Sequence, residues 1–104
     1  MKKKDWNNYP NGEWCVLRSD KQGCLFGKVL HNNGQRVVLE QARQLYEWQS
    51  KFVLLELAAF GPKGANNRFG HPSAEPIVAT EVCGLLPVGP GVKELFDNVK
   101  PQEF

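Results

Sequence analysis

The stretch CLFGKVLHNNGQRVVLE, residues 24–40, restricts this chain more than any other. Two apolar, β-rich runs flank Asn32-Asn33-Gly34, and an Asn-Gly pair supplies the positive φ angles that a tight hairpin needs. Gly27 inside the first run predicts a bulge or a close backbone approach. The preceding EWCVLRS reads as a first strand, with Trp14, Val16 and Arg18 on one face and Cys15 and Leu17 on the other.

The continuation from Val37 to Trp48 has two readings. Ala42, Gln44, Tyr46 and Trp48 alternate with Arg43, Leu45 and Glu47, as in a long strand; Ala42, Leu45 and Tyr46 also fit helical spacing. Continuity with Val37-Val38-Leu39 favours the strand. Ser50 is a candidate N-cap for KFVLLELAAF, where Phe52, Leu55 and Ala59 recur at helical intervals and Gly61-Pro62 ends the element. Val53, Leu54 and Leu57 make this helix apolar on more than one side, so it is either deeply buried or shared with a partner subunit.

The segment Gly61–Glu75 is rich in Gly, Pro and Asn and long for a structureless connection, which marks it as functional or flexible. PIVATEVCGLLPV reads as one more strand, and GPGVKELFDNVK as a short last helix with Pro90 near its start. The expected organisation is a polar N-terminal extension over residues 1–13 and a single domain over 14–104. Its class is α+β: a mainly antiparallel sheet of about four to five strands with two short helices.

Thirteen Lys and Arg against eleven acids give a net charge of +2, too balanced for a protein that coats nucleic acid through many phosphate contacts. Cys15, Cys24 and Cys83 are widely spaced, without CxxC or mixed Cys/His ligand spacing, so neither zinc nor any other cofactor is expected. Free thiols fit a reducing compartment. No run is apolar enough to suggest a membrane span or a secretory leader, and the expectation is a cytoplasmic protein. Enzymatic motifs are absent: there is no phosphate-binding loop, no GxSxG and no HExxH. His31 beside the turn and His71 in the long loop lack the orienting partner that a general base needs.

One surface candidate remains. Arg43, Tyr46 and Trp48 combine a planar cation with two π surfaces, and the loop adds Asn66, Asn67, Arg68 and Phe69. Arginine forks onto phosphate, and aromatic rings stack a base for about 1–3 kcal/mol each. Converging, Arg43, Tyr46, Trp48, Asn67, Arg68 and Phe69 would suit a nucleotide-type ligand. The alternative is core packing: Tyr46 and Trp48 against Phe52 and Leu55, with Arg43 over a ring.

The blocks Val37-Val38-Leu39, Ala42-Arg43, Tyr46 to Trp48, Leu55-Glu56-Leu57-Ala58 with Gly61, Arg68-Phe69, and Ala79-Thr80-Glu81 with Pro87 carry a resemblance. Over about Trp14–Val99 the chain resembles a family of small, uncharacterised tailed-bacteriophage proteins. That resemblance implies a phage protein in the host cytoplasm that acts by binding. By analogy with small anti-defence proteins, the expectation is a homo-oligomer that sequesters a nucleotide such as a bacterial immune signal. A module that binds a host protein or belongs to the virion is the other expectation.

Overall fold

The structure is a computed structural model, and it describes residues 8–47, 54–62 and 67–101. Its elements run β1 (Trp14–Ser19), β2 (Gly23–Asn32), β3 (Val37–Glu47), α1 (Leu54–Phe60), β4 (Arg68–Phe69), β5 (Ile77–Ala79), β6 (Val82–Pro87) and α2 (Val92–Asp97). The α+β class with a mainly antiparallel sheet and two short helices stands. The strand number is corrected from four or five to six. The Pro76–Val88 segment breaks in two at Thr80-Glu81, where Glu81 takes a φ of 51°. A two-residue strand also forms inside the Gly-rich connection.

The hairpin forms where the Asn-Gly signal points, with β2 antiparallel to β3 across Asn33-Gly34 and Gly34 at φ 102°. The segment 37–47 is strand throughout, because each half finds a sheet partner. Val37–Leu39 pairs with β5, and Leu45–Glu47 pairs with β4. Between the halves, Phe26 faces Arg43 and Lys28 faces Glu40, so Gly27 opposes two residues, Gln41 and Ala42. Gln41 has a φ of 53°, the mark of a bulge that sharpens the bend of the strand. A Cβ at Gly27 would sit 3.1 Å from the Glu40 carbonyl oxygen, so glycine is what lets the two strands close at the bend.

Along the path β4-β3-β2-β1-β6 the sheet buries both faces. One face carries Cys15, Leu17, Leu25, Val29, Val37, Leu39, Ala42 and Ala79, with Ile77 and Val82 packed against them. Residues from β5, beside β3, and from β6, at the far edge, meet in this one cluster, so the sheet is curled. The seam is sewn by side chains from the β1–β2 turn. Ser19 Oγ donates to the Thr80 carbonyl at 2.6 Å and accepts from the Gln22 amide; Gln22 Oε1 accepts from the Thr80 amide at 2.9 Å. The other face carries Val16, Phe26, Leu45 and Phe69 and is covered by Leu57 and Ala58 of α1 and by Val92 and Phe96 of α2. The face assignment expected for β1 therefore holds.

Helix α1 ends at Gly61, whose φ of 80° and amide bond to the Leu57 carbonyl close the last turn. Leu57 and Ala58 face the sheet, whereas Leu55 is 68 % exposed and Ala59 is exposed, so the apolar residues of this helix do divide between two sides. The candidate cap Ser50 and Phe52 lie outside the described residues.

Cys15 is fully buried, and burial, followed by the charge of Glu13, pushes its thiol up to about 12 from 9.0. The unfolded chain releases this proton first as pH rises, so the stability tied to the neutral thiol is present below about pH 9 and is lost between about 9 and 12. Urea unfolding over that window should show an added loss of at most about 1.4 kcal/mol per pH unit, absent in Cys15→Ala.

Candidate functional site

The residues expected to form a ligand surface divide between the interior and the rim. Arg43 lies on the helical side of β3, opposite Phe26, and is only 4 % exposed. Its Nε donates to the Gly70 carbonyl, Nη1 to the Phe96 carbonyl and Nη2 to the Val99 carbonyl, each at 2.8 Å. The guanidinium carbon lies 5.4 Å from the centre of the Phe69 ring. Burial pulls the Arg43 guanidinium below its ordinary value, and Asp97 pulls it back up.

This arrangement follows from local geometry. The last carbonyls of a helix have no intrahelical partner and carry its partial negative charge. At the end of α2, the Phe96 and Val99 carbonyls turn back towards the sheet, and a planar fork with diverging N–H groups reaches both. The same fork holds Gly70, the residue after β4. Arg43 thus ties together β3, the end of β4 and the last helix.

Phe69 is fully buried and stacks on Phe96 with ring centres 5.8 Å apart; Phe96 stacks on Phe26 at 4.1 Å, and Phe26 on Trp14 at 5.3 Å. The expectation of a phosphate contact at Arg43 and a base-stacking ring at Phe69 is revised. A guanidinium directed at three carbonyls and a ring sealed in a stack present nothing to a ligand. Of the core-packing alternative, the arginine over a ring is found, with Phe69 as that ring, whereas Tyr46 and Leu55 are exposed. Trp48 and Asn66 lie outside the described residues.

The remaining candidates stay outward. Tyr46 is 54 % exposed. Arg68 is exposed, with Nη1 3.6 Å from Glu47 Oε2; both partners are solvated, which makes the pair a weak tether. Asn67, half-buried, precedes Arg68 on the same connection. Tyr46, Asn67 and Arg68 therefore share the β3–β4 end of the sheet without the interior cation expected to join them. His31 and His71 are exposed, and no group of acidic, His and Cys side chains able to hold a metal occurs among the described residues. No helix among them is long and apolar enough to cross a membrane.

Among the described residues, three of the exposed large apolar groups lie on the two helices; Leu30 of β2, Tyr46 of β3 and Val78 of β5 are the others. Leu55 is 68 %, Phe60 56 % and Leu95 42 % exposed. Leu95 packs beside Gly61, directly after Phe60, so the ends of α1 and α2 adjoin. Sequence spacing alone did not single out Leu95. The signal for Leu55 was the surplus of apolar residues around α1.

The protein is thus a small α+β domain, a curled six-stranded sheet whose open face is closed by two short helices and a buried arginine clamp. The chain belongs to the family described as Domain of unknown function (DUF6948), whose model matches residues 12–96. No curated protein and no solved structure matches it.

Proposed function

We propose that this domain is a protein-binding module whose first partner is a second copy of itself, joined through the outward face of α1 and the adjoining end of α2. The observation that carries this reading is the exposure of Leu55, Phe60 and Leu95 on adjoining helix ends. Burying a Leu or Phe side chain in a contact gains about 1.5–3 kcal/mol, and Ala59 on the same side allows close helix approach. A two-fold axis beside α1 would repeat the patch on both subunits.

Light scattering at protein concentrations on the order of 100 μM should report at least a dimer. Leu55→Asp, which leaves the buried face intact, should return the monomer with an unchanged circular dichroism spectrum. A monomeric wild-type chain at that concentration would refute the reading.

A second reading is sequestration of a nucleotide-type molecule, such as a bacterial immune signal, by a phage-encoded protein in the host cytoplasm. The observation in its favour is the shared position of Tyr46, Asn67 and Arg68. Cyclic and ADP-ribose-type nucleotides should then raise the melting temperature of the wild type and not of Arg68→Ala. No shift with any of them would remove this reading.

A further inference from the structure

A cleft of about 490 Å³ opens where the turn before β1 meets the connection from β6 to α2. Its walls include Tyr9, Glu13, Trp14, Pro87, Pro90 and Lys93. The volume lies within the range of about 300–1,000 Å³ typical of ligand sites, and its lining mixes two aromatic and two proline rings with polar groups in about equal measure. The walls are held from behind. The Trp14 ring rests on Phe26, the Val88 amide donates to the Trp14 carbonyl at 3.0 Å, and the Gly89 amide donates to the Ala58 carbonyl at 3.0 Å. On the opposite side the Gly12 amide donates to the Val29 carbonyl, and Asn32 Nδ2 donates to Asn11 Oδ1 at 2.7 Å.

Charge is arranged around these rings. The Lys93 ammonium sits 4.5 Å from the centre of the Trp14 ring and is braced by Asp97 at 2.6 Å. With one of three donor directions on Asp97, it has others for an acceptor in the cleft. Glu13 is exposed on the rim, and no ion pair is recorded for it among the described residues.

We infer that this cleft binds an extended, proline-rich peptide segment bearing a basic residue. A polyproline II helix has no internal hydrogen bonds, so its carbonyls are free to accept from Lys93. Its proline rings pack against the proline and aromatic walls beside the Lys93-covered Trp14 ring, at small entropic cost because the peptide is already extended. A flanking Arg meets Glu13, which fixes the direction of the chain. The cleft adjoins α1 at Gly89, but its lining includes none of Leu55, Phe60 and Leu95, so the inference does not depend on self-association.

The test is an NMR titration of the full chain with a synthetic peptide of about ten residues, proline-rich and carrying one terminal Arg. Saturable shifts should appear at the Trp14 indole and the Lys93 amide, with a dissociation constant on the order of 10–100 μM, as for small transient interfaces. Glu13→Lys should weaken this peptide about tenfold and strengthen its Glu-ended counterpart. Replacing the prolines by alanine should abolish saturation. Absence of shifts at these residues, equal binding of the alanine peptide, or indifference to Glu13→Lys would each overturn the inference.

Discussion

Arg43→Ala lowers the unfolding free energy by about 3–5 kcal/mol, which combines about 1–3 kcal/mol for each buried carbonyl left without a donor with the packing lost beside Phe69. Three carbonyls, those of Gly70, Phe96 and Val99, lose their guanidinium donors, and the space beside Phe69 is left empty. A carbonyl left unpaired in the interior costs about 1–3 kcal/mol, although the Phe96 oxygen keeps a bond from the Val99 amide. Arg43→Lys keeps the charge but replaces a three-way fork by a single ammonium group, and recovers less than half of the loss. Urea denaturation followed by circular dichroism measures both. A loss below about 1 kcal/mol for Arg43→Ala would mean that the clamp contributes little.

Phe96→Ala has an effect of the same size, about 3–5 kcal/mol, for a different reason. Phe96 is one of the two inner rings of the four-ring stack, nearly parallel to Phe26 at 4.1 Å and 4°, and also stacked with Phe69. Removing it opens a cavity between α2 and the sheet that neither neighbour can fill without leaving its rotamer. Phe96→Leu, which restores most of the volume, should cost about 1.5 kcal/mol or less. The alanine variants at 43 and 96 share the end of α2, so their effects should be less than additive in a double-mutant cycle. Additivity within about 0.3–0.5 kcal/mol would show that clamp and stack act independently.

The central hairpin was legible because its signal is local: Asn-Gly between β-rich runs leaves few other conformations for the backbone. The two faces of β1 were legible for the same reason, since alternation along six residues needs no knowledge of partners. The break of the last apolar run into β5 and β6 was not. It depends on the curl of the sheet, which brings Thr80 to the β1–β2 turn where Ser19 and Gln22 hold it.

The candidate site illustrates a similar limit. Arg43 beside Tyr46 and Trp48 suggests a surface, yet alternation puts Arg43 on the same side of the strand as Leu45, which is 4 % exposed. That neighbour was the available sign of an inward arginine. Two of its three acceptors lie more than fifty residues away at the end of α2 and had no sign in the local pattern. For α1, helical spacing gave the period and left the phase open. Which side of an apolar-all-round helix faces the sheet is decided by the sheet.

The Arg43 guanidinium serves the fold and not a ligand. Hydrogen exchange at its Nε–H, followed by NMR, tests this directly, since the bond to Gly70 is buried. The expected result is exchange as slow as that of the most protected core amides, and a resonance that does not move during a nucleotide titration. Exchange as fast as that of a solvated arginine, with a shift on adding nucleotide, would contradict it.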